Sequence, residues 1–426
     1  MAQNAGCLRP LLIAVIVLTS FSIAAGYLLF ATDLYEPPES TEKAIFFENA
    51  WLWDGVSDTL VLGNLLVEGD EIVCLGEGCV PRSETLKVDA KGKTLMPGMM
   101  DLHVYFYAPS LENKGMNAIK QLPDYIKQRP AVRKNFVKSG ITAIRCVGDI
   151  TDNILQLRRQ IRAAEFAGPR TYVSGAFLTA PDGHPVKTWF AGNEAAIQNA
   201  TYQLDDPVAA GAAVEELAAK GVNGVKVVYT TGEEDNLPLL KLNVLEEILK
   251  KAEQSGLWVS VYTMNTQELS DLVEHPVTSI EHASFADVDS IMIKQMLAND
   301  IAIVPTMVKT AHRNPSQIKA MADAGVLIGT GSGTQGEMYF GESLLDEIQL
   351  LHTAGGLSQA QALRAATLDA ARIMRIDDIV GQLKVNYKAD LVLVEGNALD
   401  SLPTQERILS VLINGKIMKW NGKLYE

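Results

Sequence analysis

Six histidines and four cysteines are spread over 426 residues, few enough for each to be judged in its own setting. Imidazole can ligate a metal or carry a proton near neutral pH, and thiols can ligate or cross-link. Cys74 and Cys79 flank Leu-Gly-Glu-Gly, a turn-like insert between two strand-like stretches. Outside the cytoplasm such a pair either closes a small hairpin disulfide or stays as two thiols. Zinc between them would lack the further thiolates or imidazoles it needs. Cys146 lies in an apolar run, the setting of a plain buried thiol, and Cys7 precedes a long apolar segment. His275, His312 and His352 fall in helical or loop contexts suited to surface or capping roles. The acidic Glu233-Glu234-Asp235 reads as a solvated loop, and Phe106, Tyr107 and Trp189 either line a pocket or pack as core.

These residues need a scaffold, and the hydrophobic pattern supplies one. Residues 44–97 alternate apolar and polar positions, punctuated by Gly, Asp and Pro, as short strands do. Residues 389–426 read alike, with turn signals at Asn414-Gly415 and Asn421-Gly422. Neither end makes a stable sheet alone, so the two should pair into one β-sandwich. Between them strands alternate with helices. Strand-like runs at 140–148, 170–179, 221–230, 256–263, 277–284, 301–307 and 325–332 join Leu95–Tyr105 to make eight. Helical runs such as 212–221, 242–256 and 357–374 separate them. That rhythm predicts an α/β chain built on a (β/α)8 barrel with its functional groups at the C-terminal strand ends.

The first forty residues differ from the rest. Residues 11–30 hold twenty residues without a charge, enough for about 30 Å of helix, the thickness of a bilayer core. Arg9 precedes them, and Asp33, Glu36 and Glu39 follow, which orients the N-terminus to the cytoplasm. Ala24, Ala25 and Gly26 make a cleaved signal peptide the rival, although signal-peptide cores usually run to only about 7–15 residues. The expected organisation is an anchor or signal segment at 1–31 and a linker at 32–43. A composite sandwich from 44–97 with 382–426 and a barrel at 98–381 complete it. The main body is then extracytoplasmic, on the periplasmic side in a bacterium, and tied to the membrane by one N-terminal transmembrane helix. A net charge of −14 excludes nucleic acid and anionic membrane surfaces as main partners, since both would repel it.

Several phrases occur in a fixed order. Lys93-Thr-Leu-Met-Pro-Gly-Met-Met-Asp-Leu-His103 is followed by Gly140-Ile-Thr-Ala-Ile-Arg145, Ser279-Ile-Glu-His282 and Val304-Pro-Thr306. Ala362-Leu-Arg-Ala-Ala-Thr367 and Lys388-Ala-Asp-Leu-Val392 complete the set. From about residue 44 to the end, the chain resembles metal-dependent amidohydrolases of the imidazolonepropionase and prolidase-like type. That resemblance implies one or two divalent metals that acidify water and polarise a scissile carbonyl. It implies ligands from a His-x-His on the first strand, a carboxylated Lys on the fourth, a His each on the fifth and sixth, and a proton-shuttling Asp on the eighth.

Carried over residue by residue, three of these six positions keep their residue type: His103, Lys226 and His282. The second histidine falls on Tyr105, the fifth-strand histidine on Tyr262, and the shuttle aspartate on Gly331. The resemblance places His184, in Asp182-Gly-His-Pro185, on the substrate side with Tyr105 and Tyr262. Phenols with an ordinary pKa near 10 are costly ligands, and glycine offers no base. Lys226 without metals should be an ordinary amine paired with a carboxylate, and Glu281 is the candidate. The expected function is a membrane-anchored, amidohydrolase-like protein with hydrolysis lost or much reduced. It would bind a small molecule or a protein partner and use either no cofactor or one residual zinc. Two alternatives stay open. One is an active hydrolase of carbon–nitrogen bonds with a single metal on His103, Lys226 and His282. The other is a structural subunit of a membrane complex. Relatives often pair with themselves, so a homo-oligomer is also open.

Overall fold

A computed structural model describes residues 44–106, 133–232, 236–282, 288–310, 315–335 and 340–425. The two chain ends meet in a nine-stranded sheet. Its centre is the antiparallel pairing of Lys93–Pro97 with Leu391–Glu395, in which Thr94 faces Val394 and Pro97 faces Leu391. Alternation along these strands sets two faces. Leu95, Leu391, Leu393 and Leu412 enter a core of the sheet's own with Phe47 and Leu65. Met96, Val392, Val394 and Val411 point the other way, into the large core shared with the barrel. The sandwich expected from the sequence is therefore one continuous sheet. Hydrogen bonding runs unbroken from Glu71–Gly76 at one edge to Lys423–Leu424 at the other, because Lys93–Pro97 pairs with strands from both termini. Cys74 and Cys79 are joined by a disulfide near the first of these edges, with Cα atoms 5.5 Å apart.

The chain then enters the barrel. Met99–Tyr105, Ile141–Cys146 and Arg170–Val173 form one parallel set, and Phe177–Thr179, Gly224–Val228, Trp258–Tyr262, Ser279–Glu281 and Ala302–Val304 form another. Most of these strands are buried at every position, as expected of parallel strands covered by helices. The ring closes through a few hydrogen bonds at each junction. Asn223 N–H donates to the Val173 carbonyl at 2.8 Å, and Gly329 N–H donates to that of Ile303 at 2.8 Å. Leu102 N–H donates to the Thr330 carbonyl at 2.9 Å and returns the eighth segment to the first.

The covering helices follow from local chemistry. Leu242–Gln254 buries Val244, Leu245, Ile248, Leu249 and Ala252 on one face. Pro207–Lys220 is capped by the Asp206 side chain and ends at Gly221 in the left-handed region.

One expected element is corrected. Among the described residues no helix is long and apolar enough to cross a membrane. The longest of them, Pro207–Lys220, has 14 residues, about 21 Å of helix against a hydrocarbon core of about 30 Å, and it carries charges. Residues 11–30 and Cys7 lie outside the described residues, as do Tyr107, Glu233, Glu234, Asp235 and His312.

Candidate active site at the barrel mouth

Met99–Tyr105 carries Asp101, His103 and Tyr105 at alternate positions, so all three project into the barrel. His103 is fully buried. Its Nδ1 meets the Glu281 carboxylate, and its Nε2 lies 2.7 Å from the Tyr105 hydroxyl. Glu281 ends the strand Ser279–Glu281 and gathers the cluster. Its other oxygen accepts from Arg145 Nη2 at 2.6 Å and from the hydroxyls of Ser260 and Ser279, each at 2.8 Å. Arg145 also donates to the Leu102 carbonyl at 2.7 Å. The Lys226 amine donates to Ser260 Oγ at 3.3 Å, so it reaches Glu281 through that hydroxyl and makes no direct pair with it.

Electrostatics follow from this packing. Burial opposes the Glu281 carboxylate, yet Arg145, Lys226 and His103 together hold its pKa well below the ordinary carboxylate range. Burial pushes the Lys226 amine down to about 7, with Glu281 resisting and Arg145 adding to the shift. His103 is pushed down to about 4 by burial and then by the Lys226 charge, so its ring is neutral at pH 7. Burial raises the Tyr105 phenol above its ordinary value, with Tyr262 and Glu281 adding to the shift. Tyr105 is therefore a hydrogen-bond donor to a neutral imidazole. Below it, the Asp101 carboxyl is raised to about 6 by burial, against the pull of its hydrogen bonds with Ser332.

Aromatic rings close the upper side. The His282 ring lies 4.4 Å from that of His103 and 4.7 Å from that of Tyr262, and its Nδ1 is 2.8 Å from Thr306 Oγ1. His282 and Thr306 both hold positive φ, 59° and 51°, where a non-glycine residue is strained. His184 stacks on Tyr262 with ring centroids 5.0 Å apart, and Trp189 meets Tyr105 edge-on. All six residues singled out from the sequence, His103, Tyr105, His184, Lys226, Tyr262 and His282, thus gather at one mouth. His275 and His352 lie elsewhere, the latter bonded to the Leu357 carbonyl.

The group implied by the fold family can be tested against these side chains. Among the described residues no three His, Cys, Asp or Glu side chains are placed to hold a metal ion. His103 has both ring nitrogens engaged, and Tyr105 holds its proton firmly. A Cβ on Gly331 would lie 2.6 Å from Val304 Cγ1 and 2.7 Å from His103 Cβ, so the volume of an aspartate there is already filled. The adjacent Ser332 hydroxyl turns to Asp101 at 2.6 Å. These residues do not fit the family's metal pair.

Sequence reasoning missed Arg145, Ser260, Ser279, Asp101 and Thr306 as parts of the cluster. Arg145 had a signal, since a lone guanidinium inside an otherwise apolar strand requires a buried acceptor. The serines had none, because a hydroxyl is compatible with almost any strand.

The amidohydrolase family matches residues 94–418 of the chain. The chain is 21% identical to 5'-deoxyadenosine deaminase from Methanobrevibacter smithii, over 90% of this chain and 94% of that protein. It is 22% identical to ochratoxinase from Aspergillus niger, over 84% and 83% respectively. Its fold is similar to that of an Xaa-Pro dipeptidase with bound methionine, with a TM-score of 0.76 at 21% identity, covering 88% of this chain and 100% of the other. Ordered motifs, barrel and match agree: the chain belongs to the amidohydrolase family.

Proposed function

We propose that this amidohydrolase-family protein binds a small ligand at the barrel mouth, with metal-dependent hydrolysis lost or much reduced. The observation that carries this reading is the commitment of His103, whose two ring nitrogens are held by Glu281 and Tyr105. Taking a water from pKa 15.7 to about 7 corresponds to roughly 12 kcal/mol and needs a firmly held ion. With Tyr105, Tyr262 and Gly331 at the other positions, such an ion would have few donors. The rings of His184, Trp189 and Tyr262 suit a ligand with a flat or apolar portion. The Cys74–Cys79 disulfide supports an oxidising compartment as the working environment.

A second reading is hydrolysis of a carbon–nitrogen bond with a single divalent ion. The co-location of His103, Lys226 and His282 favours it, together with similarity to proteins named for deamination and dipeptide cleavage. It requires His103 to release Tyr105. One experiment separates the two: metal content of the chelator-free protein, with turnover measured on amides, lactams, dipeptides and aminopurine nucleosides. Absence of bound metal and of turnover, with zinc supplied, is the expected result. Stoichiometric zinc or manganese, with turnover abolished in His282→Ala, would overturn the first reading.

A further inference from the structure

A crevice of about 240 Å³ lies between the barrel and the end sheet, with Arg162, Phe166, Arg170 and Tyr172 on the barrel side and Asn414 and Lys416 on the sheet side. Arg170 opens its barrel strand, so the crevice is at the N-terminal end of the strands, opposite the mouth that holds Tyr105. Three cations therefore face one small space in a chain whose net charge is −14. Arg170 is neutralised by Asp390, at 2.5 and 3.1 Å, and also donates to Asn414. The lining carboxylate, Asp70, is paired with Lys388 at 2.9 Å. Among the described residues neither Arg162 nor Lys416 has a carboxylate partner.

The helix Thr151–Arg162 ends in Arg158, Arg159 and Arg162. Their mutual repulsion shows at Arg158, whose pKa is lowered first by burial and then by Arg162 and Arg159. A helix C-terminus favours cations and accounts for part of this charge. It does not account for Lys416, which arrives from the sheet on the other side of the crevice. The Tyr172 hydroxyl adds a donor. Burial raises its pKa while Arg170 pulls it down, so it stays protonated, and among the described residues it has no hydrogen-bond partner. Phe166 and Met418 supply apolar wall.

We propose that this crevice binds a small aromatic carboxylate, with Arg162 and Lys416 facing the carboxylate, Tyr172 donating to it, and the ring against Phe166. An anion there would pair with Arg162 and Lys416 and join the barrel to the sheet. Tyr172 pairs in register with Arg145, so the ligand would sit one strand from the guanidinium that grips Glu281.

The test uses the full chain with benzoate, inorganic phosphate and benzamide, read by thermal shift and calorimetric titration. Benzoate should bind and raise the unfolding midpoint, phosphate should bind more weakly, and benzamide should do neither. Arg162→Ser and Lys416→Ser should each weaken benzoate binding about tenfold and leave the midpoint without ligand unchanged, since both side chains are exposed. The proposal is overturned by no response to benzoate, or by a response that survives in the double variant Arg162→Ser/Lys416→Ser. Equal binding of benzamide, or of phosphate and benzoate, would overturn the assignment of an aromatic carboxylate.

Discussion

His103 and Tyr105, two residues apart on one strand, are bonded to each other at 2.7 Å across the space where the family's first-strand histidines would both face a metal. Alternation on the strand puts both side chains on the inner face, where the phenol donates to the imidazole. Tyr105→Phe should leave a buried imidazole nitrogen without its donor, a loss of about 1–3 kcal/mol. Urea unfolding of variant and parent measures it. An unchanged midpoint would mean that the hydroxyl contributes nothing to holding His103.

Glu281→Gln removes the charge facing Arg145 and His103 while keeping the volume. Breaking a buried ion pair by removing one partner costs about 3–5 kcal/mol, because the remaining charge is stranded. Denaturant unfolding at pH 7 should show a loss of that order. A loss under about 1 kcal/mol would indicate that Arg145 is solvated some other way.

At Gly331 the expected outcome concerns volume. Gly331→Ala should destabilise by about 1–3 kcal/mol through overpacking against Val304 and His103, which a Cβ would approach to 2.6 and 2.7 Å. Gly331→Ala with Val304→Ala should recover part of that loss. Calorimetry on the single and double variants decides whether the site is filled or has room for an acidic side chain.

Acid sensitivity should trace partly to His184, pushed down to about 3 by burial and by Lys226. Its folded pKa is below the unfolded value near 6.5, so the unfolded chain takes up the proton first as pH falls. Stability from this residue is complete above about 6.5 and is lost as pH drops toward 3, by about 1.4 kcal/mol per pH unit. In His184→Phe, unfolding free energy plotted against pH should be flatter by that slope between pH 4 and 6.

Glu347 should act in the opposite sense. It is fully buried, accepts from Val308 N–H at 2.9 Å, and its carboxyl is raised to about 8 by burial. Here the folded pKa is above the unfolded one near 4.5, so the stability it contributes is complete below about 4.5. That stability is lost as pH rises toward 8. Glu347→Gln should remove this decline, so that parent and variant diverge most between pH 8 and 9 in parallel thermal melts.

Much of the fold was legible because periodicity survives translation into sequence. The run 258–262 reads as a buried strand from its β-branched and aromatic residues alone, and most of the helical run read at 212–221 lies within Pro207–Lys220, whose first turn it missed. Tyr105, Tyr262 and Gly331 were equally legible, since a residue type at a motif position needs no coordinates. The expected transmembrane helix was a weaker inference, resting on apolar run length without any packing partner.

Other features were decided by contact between distant segments. Glu281 and His103 are 178 positions apart, and their pairing exists only because strands one and six face each other across the barrel. That Ser260 stands between Lys226 and Glu281, and that the space beside Gly331 is already filled, depend on side-chain packing in three dimensions. The sequence by itself determined the barrel and the pairing of both chain ends, while the placing of Tyr105, Tyr262 and Gly331 at metal-ligand positions is what the resemblance implies. Only the tertiary structure decided that His103 is engaged on both ring nitrogens. Hydrogen bonds between strands are set by spatial register, and residue order along the chain does not encode that register locally.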